Sequence, residues 1–201
     1  VAWIMGRGLR AANYDETRIA VEENLRKDPH SQRPTVLGVD GHFSEFSRVA
    51  SIMLHERPVL GTSFELAEFN PWLKQRAADM RPGTPQWVGI DTIPCAAVRS
   101  QLELLNLGRG VNWTIDLATQ RYMVYSALST GARGLVFRSD LPLDDSPTGR
   151  LRGDVLKLIN HELLMLEPWT SSGQLREELS GVPPQMRVAM LQSERSRIVL
   201  V

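Results

Sequence analysis

Pro82-Gly-Thr-Pro-Gln-Trp-Val-Gly-Ile-Asp91 is the stretch on which the fold turns. Two prolines and a glycine make a rigid turn. The run Trp87-Val-Gly-Ile90 that follows is apolar on both faces rather than alternating, and an acid closes it. A strand with no polar face must be covered on both sides, as parallel strands flanked by helices are.

The same unit recurs along the chain. Val1-Ala-Trp-Ile-Met5, Thr35–Val39, Val59-Leu-Gly61 and Leu135-Val-Phe137 are further apolar runs. Behind the last four of the five runs stand Asp40, Glu65, Asp91 and Asp140. Chemistry in sheets of βα units is done at the carboxyl ends of the strands, so this spacing puts four carboxylates on the functional edge.

Between the runs the chain reads as helix. Asn13 and Glu16 form a capping-box pattern opening a helix over 13–27, and Asp28-Pro29 stops it. Ser44 caps a helix carrying Phe46, Val49, Ile52 and Met53 at helical spacing, with His55 on it. Asn70-Pro71 opens another over 72–80. Helices are expected near 96–107 and 114–130, and a long one ends at Glu167 before Pro168.

After Trp169 the pattern changes. Ser171-Ser-Gly173, Gly181 and Pro183-Pro184 read as a linker. Two short apolar runs around Ser193-Glu-Arg-Ser196 then read as a hairpin. The expected organisation is an α/β unit over 1–170, a linker over 171–184 and the start of a β-rich, sandwich-like domain over 185–201.

Lys plus Arg and Asp plus Glu stand at 23 each, so no global field draws in nucleic acid. No apolar stretch reaches the length of a bilayer span. Cys95 is the single cysteine, which excludes an internal disulfide and a cysteine-based zinc cluster. The four histidines make no metal-ligand spacing, no Gly-x-Gly-x-x-Gly follows a strand, and no Walker loop or Gly-x-Ser-x-Gly elbow is present. Neither a metal nor a cofactor is expected.

Strand starts 25 to 45 residues apart match the βα units of a (β/α)8 barrel better than a doubly wound sheet with a dinucleotide loop. The expected fold is the C-terminal half of a TIM barrel, about strands four to eight. Such a half exposes unpaired edges and calls for the remainder of its own polypeptide as a partner.

The segment Gln120-Arg-Tyr-Met-Val-Tyr-Ser-Ala-Leu-Ser-Thr-Gly-Ala-Arg-Gly-Leu-Val-Phe-Arg-Ser-Asp140 resembles the last helix and eighth strand of glycoside hydrolase barrels of the β-galactosidase-type superfamily. The stretch from Pro82 to Asp91 is similar to the preceding strand. Leu164-Met-Leu-Glu-Pro168 resembles the helix that leads such barrels into a C-terminal β-sandwich. The resemblance, over about residues 33 to 201, implies a carbohydrate partner and two carboxyl groups flanking a glycosidic oxygen, one protonated and one ionised. Retaining members carry Glu after the fourth and seventh strands; this chain has Gly6 and Arg7 in the first place and Asp91 in the second.

Asp91 is therefore the candidate ionised partner, with Glu65 and Asp140 as candidates for the second acid. Asp40, His42, Arg138 and Trp113 are candidate substrate-binding residues. The alternative is a non-catalytic barrel used for glycan binding or assembly in a large extracellular protein. Both readings prefer an extracytoplasmic or secreted setting to a cytoplasmic one.

Overall fold

The computed structural model describes residues 2–29, 33–106, 114–144, 146–176, 183 and 188–201. In chain order it runs β1 (Trp3–Leu9), α1 (Tyr14–Lys27), β2 (Thr35–Val39), α2 (Phe43–Phe46), β3 (Ile52–His55), α3 (Phe69–Asp79) and β4 (Gln86–Asp91). It continues with α4 (Ala96–Leu105), α5 (Leu117–Ser129), β5 (Gly134–Arg138), α6 (Pro147–Thr170), β6 (Gln174–Arg176), β7 (Ala189–Gln192) and β8 (Arg197–Leu200).

The first five strands form one sheet in the order β1-β2-β3-β4-β5, every pair parallel. Each new strand is added beside the last, with no reversal of order. A doubly wound sheet needs such a reversal, and its nucleotide crevice lies there.

Alternation along the strands sorts side chains onto two faces. On one, Leu37, Val39 and Met53 pack with Phe43, Phe46 and Met80, while Val88 and Ile90 pack with Leu73 of α3, Met123 of α5 and Ile159 of α6. On the other, Val36, Ile52 and Leu54 pack with Ala2, Trp87 and Val136. The helices contribute to the first face, and the second cluster is built from the strands and the residue preceding β1. Glycines on that second face make room for neighbours: a Cβ at Gly134 would lie 2.6 Å from the Trp87 ring, and one at Gly38 would lie 3.3 Å from Arg7 Cα.

Two local readings are corrected. The third strand is Ile52–His55, not Val59-Leu-Gly61, and α2 is a single turn that ends at Phe46. The spacing of Phe46, Val49, Ile52 and Met53 suits a helix, but pairing of Val36, Leu37 and Gly38 with Ile52, Met53 and Leu54 decides the matter. His55 is consequently a buried strand residue. Val59 is buried in a turn, where the Thr62 hydroxyl donates to the Pro58 or the Val59 carbonyl and Gly61 holds φ 77°.

In the C-terminal region, α6 continues through Pro168 to Thr170. The expected hairpin forms as β7–β8, and β6 from within the expected linker pairs with β7 to complete an antiparallel three-stranded sheet. Leu191 and Leu200 of this sheet share a core cluster with Met123 and Ile159.

Candidate functional site

At the carboxyl edge of the parallel sheet, β1 supplies Arg7, Asp40 follows β2, Glu56 follows β3, Asp91 ends β4 and Arg138 ends β5. Asp91 and Arg138 are partners in the last rung of the β4–β5 ladder. Thr92 locks that rung: its backbone N–H and its hydroxyl both donate to the Arg138 carbonyl, at 3.0 and 2.8 Å.

Arg138 bridges two acids. Its Nε lies 3.4 Å from Asp91 Oδ1 and its Nη1 lies 3.7 Å from Glu56 Oε1. Arg7 Nη1 approaches the same Glu56 oxygen at 3.6 Å. Gly89 lets these side chains lie against the sheet, since a Cβ there would meet Glu56 Cγ at 2.9 Å and Arg138 Cδ at 3.5 Å.

The Glu56 and Asp91 side chains are only 13% and 16% exposed. Burial pushes the Asp91 carboxyl above its ordinary range; Arg138 pulls it down, and the anionic charges of Glu56 and Asp140 push it further up. Asp91 thus holds a proton more readily than a free carboxylate, as a general acid must.

A cleft of about 190 Å³ opens beside Asp91, lined by Pro58, Ile93, Cys95, Arg138 and Asp140 among others. The Asp140 side chain, 57% exposed, pairs with Arg99 Nη2 at 3.2 Å. Asp91, Arg138 and Asp140 therefore line one cleft.

Other expected members fall elsewhere. Glu65 does not end a strand: it precedes a short 3-10 turn, and its backbone N–H donates to Glu68 Oε2 at 2.9 Å. Its expected place is taken by Glu56. Asp40 sits on the same edge of the sheet but outside the cleft, 3.8 Å from Arg10 Nε, with its backbone N–H donating to the Leu9 carbonyl. His42 caps α2 from the residue before it, with φ 54°, and faces Glu45 at 3.7 Å. Trp113 lies outside the described residues.

Arg7, Glu56 and Arg99 were not legible as site residues. Glu56 had a signal, because it follows Ser51-Ile-Met-Leu-His55 as Asp40 follows its own strand. Among the described residues, no helix is long and apolar enough to cross a membrane. Comparison with known protein families, with curated proteins and with solved structures finds no match to this chain.

Proposed function

We propose that this chain is a glycoside hydrolase-like protein that acts on or binds a carbohydrate in the Asp91 cleft, on a sheet that forms part of a (β/α)8 barrel. The barrel reading is supported by parallel strands added in sequence order, with helices contributing to the core on one face. One observation carries the functional reading. Two mostly buried carboxyl groups flank one guanidinium at the strand ends, and burial raises the Asp91 carboxyl above its ordinary range. Glu56 is held between two arginines, Arg7 and Arg138, beside it. Asp91 is raised by burial and opens on a cleft, which suits a protonated donor. This reverses the sequence-based assignment of Asp91 as the ionised group.

A second reading, glycan binding without turnover, is supported by the pairing around the sheet edge. Asp40, Glu56, Asp91 and Asp140 each face an arginine. Such pairs hold a surface in register and offer sugar hydroxyls both donors and acceptors.

Backbone amide NMR shifts recorded against a panel of mono- and oligosaccharides test the site common to both readings. Thr92, Cys95 and Arg138 are expected to shift with a binding saccharide while Glu65 stays unmoved. A panel that moves none of the three contradicts both readings.

A further inference from the structure

We infer that the two turns entering β3 and β4 form a binding site for a phosphate monoester group, at the opposite edge of the sheet from the Asp91 cleft. A depression of about 280 Å³ lies between these turns, lined by Ser47, Arg48, Ser51, Arg81, Gly83 and Thr84 among others. These residues precede β3 and β4, so the site opens at the amino edge. Its size is near the lower end of ligand pockets, about 300 Å³.

Charge sets this depression apart. At the carboxyl edge Arg7, Arg10, Arg99 and Arg138 each face a carboxylate. Arg48 and Arg81 share one depression that no acidic side chain lines. Neither guanidinium has an ion-pair, hydrogen-bond or ring partner among the described residues. Acids and bases balance over the whole chain, so this is a local excess of positive charge and not part of a general field. A guanidinium presents a planar fork of N–H donors that matches phosphate oxygens. A phosphate monoester carries nearly two negative charges at about pH 7. Two cations therefore meet a dianion.

The turns are fixed without any ligand. Ser47 Oγ accepts from the Arg81 backbone N–H at 2.9 Å and donates to the Ser44 carbonyl at 3.1 Å, which ties one turn to the other. The Ser51 N–H donates to the Thr35 carbonyl and the Met53 N–H to the Pro85 carbonyl, both at 3.0 Å. In the second turn the Thr84 N–H donates to the Arg81 carbonyl at 3.1 Å, and Gly83 takes φ 84° between Pro82 and Pro85. A Cβ at Gly83 would meet nothing within 4 Å, so the backbone there is open to a ligand. The Thr84 hydroxyl has no partner among the described residues and adds a neutral donor. A site whose frame is already ordered loses less entropy on binding. It shares no residue with the Asp91 cleft and does not rest on the carbohydrate reading.

Amide NMR titration of the natural polypeptide at low salt tests it. Inorganic phosphate, a hexose phosphate and a phosphoserine peptide are the separate probes, with a singly charged hexose sulfate as control. The Ser51, Gly83 and Thr84 amides are expected to shift with phosphate probes, and the tightest of the three identifies the carrier. Arg48→Gln and Arg81→Gln are each expected to weaken binding about tenfold or more, the scale of a lost charged hydrogen bond, with β2 amides unmoved. Arg26→Gln, at an exposed position on α1, is expected to leave it unchanged. No shift of the three amides at millimolar probe overturns the inference. So does binding that survives both substitutions, or a hexose sulfate that binds as tightly as the hexose phosphate. Thr92, Cys95 and Arg138 report the saccharide cleft in the same spectra, so either site can fail without the other.

Discussion

Asp91 is held at a cost, and that cost makes its role measurable. Its folded-state carboxyl titrates above the ordinary range because burial outweighs Arg138. The folded state therefore binds more protons than the unfolded one over the interval between the two values. The stability contributed by this group is greatest in acid and declines as the pH rises through that interval. Asp91→Asn, which cannot ionise, is expected to be more stable than the parent at pH 7 in urea denaturation, with the gap narrowing toward pH 4. A loss of stability at pH 7 would mean that the pair with Arg138 matters more than the desolvation. Gly89 is the complementary test of geometry. Gly89→Ala is expected to cost about 1–3 kcal/mol, because the new methyl meets Glu56 Cγ at 2.9 Å and must displace it from between its two arginines. Equilibrium denaturation reads that cost, and a variant as stable as the parent would show that the Glu56 position is soft.

Among the elements, β3 links the sheet to the helical layer and carries a second titration. His55 is 1% exposed, neither ring nitrogen has a hydrogen-bond partner, and it lies between Phe43 and Trp72 at centroid distances of 5.7 and 6.3 Å. Burial first, and then the Arg76 charge, push its pKa down to about 4. The unfolded chain therefore takes up a proton that the folded one refuses between pH 6.5 and 4. Stability is expected to drop as the pH is lowered through that window, by about 3 kcal/mol, and to level off below it. His55→Phe is expected to flatten this dependence, and an unchanged slope would place the responsible group elsewhere. β3 is also where the sequence was hardest to read. Three apolar residues and a histidine between a helical turn and a charged pair satisfy either period, and only the partners on both sides choose strand. The βα units around Thr35–Val39, Gln86–Asp91 and Gly134–Arg138 were legible because each run is apolar on both faces, bounded by turn residues and closed by a charged residue. Misplacing β3 by a few residues moved the acid from Glu56 to Glu65.

For the whole molecule, the parallel sheet and its strand order follow from short apolar runs separated by helices, so the α/β class was readable from spacing. The composition of the carboxyl edge was readable only in part. Asp91 and Arg138 end their strands and Asp140 follows closely, whereas Arg7 reaches Glu56 from two strands away and no local pattern announces it. The central claim is that this edge is a carbohydrate site with Asp91 as its protonated acid. Hydrolysis of a panel of aryl glycosides and polysaccharides, by the natural polypeptide beside its Asp91→Asn variant, tests it most directly. The account predicts turnover that falls by about 100-fold or more in the variant, the scale of a lost general acid. Equal turnover by both proteins, or none by either, would contradict it.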